Sequence, residues 1–83
     1  MDLDNLVHMA NRIGAFFAAQ PDRDEALAGI ADHLKKFWDP RMRTQILAVL
    51  DGADGGEASG LSEIVLAALR AHREKLQPVV AGR

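Results

Sequence analysis

Three histidines, His8, His33 and His72, are the first residues to ask for chemistry, and they fall on three different predicted helices with no paired spacing. A zinc site built from them would need carboxylates converging from elsewhere in the fold. The plainer reading has His72 at the edge of a core and His8 and His33 partly exposed. The chain has no cysteine, which removes a thiolate nucleophile and a thiolate metal site. Asp51, Asp54 and Glu57 make an acidic stretch, but it fails the calcium-loop register. Ala53 and Gly55 occupy ligand positions, and Ser62 stands where a bidentate Glu belongs. The same glycines lack the preceding strand and following Lys of a phosphate-binding loop. What remains is a basic corner. Lys35, Lys36, Arg41 and Arg43 stand against Asp39 alone between His33 and Arg43, with the single tryptophan, Trp38, among them. Such a group either solvates a surface and complements a helix dipole, or docks a partner. Arg41 and Arg43 suit bidentate contact with carboxylate or phosphate. Trp and Arg are the types most enriched at binding hot spots, although a lone Trp more often plugs a small core.

Helices must position these groups. Leu6, Val7, Ala10, Ile13, Gly14 and Phe17 recur at three and four, predicting a first helix over 4–19 with Asp4 as its cap. Gly14 in its interior costs about 1 kcal/mol relative to Ala and is tolerable where another helix must come close. Gln20-Pro21 ends it. The second helix is expected over 22–37, opened by an acidic capping box of Asp22 and Glu25, with Ala26, Leu27, Ile30, Ala31, Leu34 and Phe37 as its buried stripe. Asp39 then caps a third helix over 40–50 with Pro40 at its first position. Pro40 also forces Asp39 out of helical geometry, so the second and third helices meet at a tight corner. Residues 51–60 carry four of the 7 glycines and read as a flexible loop. The fourth helix starts at Ser62, with Leu61 and Leu66 placed as a hydrophobic staple, and Pro78 closes it. Residues 79–83 read as a loose tail.

The fold expected is all-α: one domain over residues 1–78, a small bundle of about four short helices with the glycine-rich loop before the last. At 83 residues and no disulfide the stability margin is thin. A net charge of -2 gives no global drive toward nucleic acid or an acidic membrane. No apolar run reaches the roughly 18 residues of a membrane span. Acid at Asp2 and Asp4 argues against a secretion signal, and a cytoplasmic location follows by elimination.

Phe16, Phe17, Phe37, Trp38, Met9 and Met42 are many large apolar groups for helices this short. A leftover apolar patch beside an arginine pair reads as a protein–protein site. The residues expected at that contact are Trp38, Arg41 and Arg43, with Met9, Phe16 and Phe17 as apolar anchors. Asn11, polar within an apolar stretch, is expected to hydrogen-bond across it.

Leu6-Val7-His8-Met9-Ala10-Asn11-Arg12-Ile13-Gly14 followed by Phe16-Phe17 resembles the opening of the delta subunit of NAD-dependent formate dehydrogenase. Ala28-Gly29-Ile30-Ala31-Asp32-His33-Leu34 running into Phe37-Trp38-Asp39-Pro40-Arg41-Met42-Arg43 resembles the same family. The likeness spans residues 6–50 and weakens over 61–69. It implies a non-catalytic partner of a cytoplasmic molybdenum- or tungsten-containing enzyme. The larger subunits would carry bis-molybdopterin guanine dinucleotide, iron–sulfur clusters, FMN and the NAD site. It implies no catalytic residue, metal or cofactor on this chain. The expected role is docking on the catalytic subunit in support of assembly or stability. Two other readings stay open: a maturation chaperone whose Lys35, Lys36, Arg41 and Arg43 meet the phosphates of the pterin cofactor, and a small helical nucleic-acid-binding module.

Overall fold

The computed structural model describes residues 2–78, so the tail expected over 79–83 lies outside the described residues. Among those residues the chain forms a small helical bundle without strands. Its elements are α1 (Leu3–Phe17), α2 (Arg23–Phe37), α3 (Pro40–Ala48), α4 (Glu63–Ala71) and α5 (Arg73–Leu76), with short 3-10 turns at Val49–Asp51 and Glu57–Ser59.

Caps decide where the helices begin. Asp2, not Asp4, caps α1: its carboxylate accepts from the Asp4 N–H at 3.1 Å, and Asp4 becomes part of the first turn. Asp22 caps α2 by accepting from Glu25 N–H at 3.2 Å, as the acidic capping box requires. Asp39 accepts from Met42 N–H at 3.0 Å with Pro40 next to it, so the corner forms without a linker. The last predicted helix is instead two. His72 leaves helical geometry at φ −118°, ψ 26°, and the chain resumes for one turn as α5.

The helix α2 touches α1, α4 and α5, and α1 also reaches α3 and α4. Leu6, Ile30, Leu34, Ile46, Val65, Leu69 and Leu76 are fully buried between them. Each such side chain contributes about 1.5–3 kcal/mol over its exposed state. Gly14 marks a close approach of α1 to α4: a Cβ there would stand 2.6 Å from Cγ2 of Val65. The glycine therefore does what its place in the helix suggested, letting a second helix come close. Gly29 does the same for a ring, since a Cβ on it would meet Phe17 at 2.5 Å.

Residues 51–60, read from sequence as a flexible loop, carry defined turns. Both Asp54 oxygens accept backbone hydrogen bonds, Oδ1 from Gly56 N–H at 2.9 Å and Oδ2 from Ala58 N–H at 2.8 Å. Gly56 is buried at φ 94°, a conformation that L side chains rarely adopt. Arg70 donates to the Gly55 carbonyl at 3.0 Å, tying the segment to α4.

A candidate docking face on α1 and α2

Residues at three- and four-residue spacing on α1 put Met9, Arg12, Ile13 and Phe16 on one side of that helix. His33 and Phe37, four apart, do the same on α2. Between them, closed at one end by Met42 of α3, lies a shallow groove of about 360 Å³. Met9, Arg12, Ile13, His33, Phe37, Trp38 and Met42 line it. Phe16 and Phe37 are 73% and 70% exposed. The rings form a continuous row: Phe16 to Phe17 at 5.1 Å edge-on, Phe17 to His33 at 6.5 Å, and His33 to Phe37 at 4.8 Å.

The structure divides the residues expected at a contact. Met9, Phe16 and Phe17 lie on or beside the groove, Met9 and Phe17 half-buried. Arg41 is exposed at the start of α3. Trp38, Arg43 and Asn11 are engaged within the chain. Trp38 is only 4% exposed: it forms the floor of the groove and belongs to the core. At the α2 C-cap its backbone turns extended at φ −93°, ψ 134°, and the indole swings inward while Phe37 is left outside. Arg43 is 8% exposed and donates to the Leu76 carbonyl at 3.1 Å. Asn11 donates to the Gly60 carbonyl at 2.9 Å and accepts from Ser62 N–H at 2.8 Å, so its amide fastens α1 to the start of α4.

Half of the basic corner, Lys35 and Arg43, is thus an internal device. Lys35 donates to the Lys75 carbonyl at 3.2 Å and Arg43 to that of Leu76, so two cations satisfy the open C-terminal carbonyls of α5. Lys75 in turn pairs with Asp32, and Arg73 with Asp51 at 2.8 Å. These bonds hold the Asp32 and Asp51 carboxyls below the ordinary aspartate range and raise Arg73 above its ordinary value. The set of four cations that would have cradled a cofactor's phosphates is therefore not free: Lys35 and Arg43 are engaged on α5.

Two residues of the face escape the hydrophobic pattern. Phe37 falls in register with the buried stripe of α2, and only the exit of the chain at Trp38 puts it outside. Arg12 has no apolar character to announce it, but its place between Met9 and Phe16 on one helical face was readable.

Elsewhere, a hollow of about 430 Å³ lies beside Thr44, Leu47, Ala48, Gln77 and Pro78, and the charged pair that lines it, Asp51 and Arg73, neutralises itself. Among the described residues no cluster of three or more His, Asp or Glu is arranged to hold a metal ion, and no helix is long and apolar enough to cross a membrane.

No curated protein and no solved structure matches the chain. The family of the NADH-dependent formate dehydrogenase delta subunit, FdsD, matches residues 5–69, which takes in most of α1, the corner, the glycine turns and most of α4. With that match covering most of its length, the chain belongs to the formate dehydrogenase delta-subunit family.

Proposed function

We infer that the protein is a non-catalytic accessory subunit that docks on the catalytic subunit of an NAD-dependent formate dehydrogenase through the face formed by α1 and α2. The enzyme is read as a cytoplasmic molybdenum or tungsten enzyme whose larger subunits carry bis-molybdopterin guanine dinucleotide, iron–sulfur clusters, FMN and the NAD site. The role is to support assembly or stability of that complex. The observation that carries this reading is the pair Phe16 and Phe37, both more than two-thirds exposed, Phe37 lining one apolar groove and Phe16 on the side of α1 that supplies Met9 and Ile13 to it, in a chain of a delta-subunit family.

Covering two such rings contributes about 1–2 kcal/mol each. Phe16→Ala with Phe37→Ala should therefore weaken docking by about 2–4 kcal/mol, or about 30- to 700-fold in Kd. The assay is titration of the variant onto dehydrogenase purified from cells lacking this chain. Unchanged affinity and one retained copy per catalytic chain would refute the assignment of the face.

A further inference from the structure

Nine lysines and arginines fall within the described residues, and six of them are bonded inside the chain. Arg23, Arg73 and Lys75 pair with carboxylates. Lys35, Arg43 and Arg70 donate to backbone carbonyls. The three left are Arg12, Lys36 and Arg41, none of which makes a hydrogen bond or ion pair with the described residues; Lys36 acts on Asp32 through its field alone. Arg12 is on the groove itself, and Lys36 and Arg41 each adjoin one of its lining residues in sequence, the exposed Phe37 on α2 and the Met42 that closes its end. No Asp or Glu lines the groove. The nearest in sequence, Asp39, caps α3 and lines a separate hollow with Arg41.

An apolar groove whose one charged lining residue is Arg12, in a chain that bonds six of its nine described cations internally, has a complementary occupant. Resting on the docking function above, we propose that the groove receives an acidic amphipathic segment of a larger dehydrogenase subunit. Apolar side chains of that segment lie against Met9, Ile13, Phe16 and Phe37, and its carboxylates pair with Arg12, Lys36 and Arg41. Arginines at such a rim take carboxylates bidentately and fix register, and the charges set the encounter rate and the salt dependence. A second copy of this chain is a poor occupant, because the groove would meet its own Arg12 and offer no carboxylate among its lining residues.

The test uses the full chain and dehydrogenase purified from cells lacking it, with Kd measured between low and high salt. Arg12→Glu, Lys36→Glu and Arg41→Glu together should weaken binding at least about tenfold at low salt and flatten the salt dependence. Gln at the same positions should give an intermediate loss. All three side chains are exposed or on the groove rim, and far-ultraviolet circular dichroism checks that the variants stay folded. If the Glu variant keeps its affinity and salt slope while Phe16→Ala with Phe37→Ala loses binding, the acidic occupant is refuted and docking stands. If both variants bind as the parent does, both readings fall. Self-association of the chain that requires Phe16 and Phe37, with no affinity for the dehydrogenase, would also overturn the proposal.

Discussion

Replacing Trp38 by Ala should destabilise the whole protein rather than merely weaken a contact. The indole is 4% exposed beneath the groove, in one cluster with Leu6, Leu34, Ile46 and Leu76. Removing a buried aromatic of this kind costs about 3–5 kcal/mol, because lost transfer energy is joined by a cavity that its neighbours fill only in part. A domain of 83 residues has about 4–12 kcal/mol in total. The variant is thus expected to lose about a quarter or more of the total, and all of it where the parent lies at the low end of that range. Phe16→Ala makes the matched control: at 73% exposure it should shift stability by no more than about 0.5 kcal/mol. Urea and thermal unfolding of the isolated chain, followed by far-ultraviolet circular dichroism, measures both. A Trp38→Ala variant within about 1 kcal/mol of the parent would refute the placement of Trp38 as core. It follows that failure of Trp38→Ala to bind a partner carries no information about docking, whereas failure of Phe16→Ala does.

Gly14→Ala and Gly29→Ala should move in opposite directions, read as thermal midpoints. Each gains about 1 kcal/mol of helix propensity, but at position 14 the new methyl meets Val65, fully buried and β-branched, and overpacking there costs about 1–3 kcal/mol. At position 29 the obstacle is the half-buried ring of Phe17, which can turn aside, so the midpoint should rise by up to about 8 °C while Gly14→Ala lowers it. The Asp54 turn should be acid-labile. Hydrogen bonds from Gly56 and Ala58 N–H hold its carboxyl below the ordinary aspartate value of about 3.9. A depressed folded pKa means the contribution is full above that value and is lost as pH falls through the folded one. Hydrogen exchange at Gly56 and Ala58 should lose protection below about pH 4 in the parent, and Asp54→Ala should remove that dependence.

The helices were legible wherever a local device fixes them. Asp22 with Glu25, and Asp39 with Pro40, set their starts within a few covalent bonds of the residues that name them, and Gly14 announced a close neighbour without saying which. Phe37 and Trp38 were not legible in the same way. Periodicity places residue 37 inward, but Phe37 is the last residue of α2, and the chain turns extended at Trp38, whose indole is buried instead. Arg43 resisted for another reason. Its acceptor, the Leu76 carbonyl, lies 33 residues away and exists only because α4 breaks at His72 to let α5 fold back. Asn11 likewise finds its partners 49 and 51 residues on. Order in the glycine turns was the more accessible omission. Asp54 followed by two glycines is a familiar side-chain-to-backbone turn, and composition alone obscured it.

Val65 fits a notch in α1 where residue 14 has no side chain, and such a fit resists sliding of one helix along the other. The half of the groove that α1 supplies is thereby locked in register before any partner arrives. Binding to a surface already in shape leaves little ordering cost to subtract from the contact energy, so the speed of complex formation should follow how often the two proteins meet in the right orientation, not how long this one takes to rearrange.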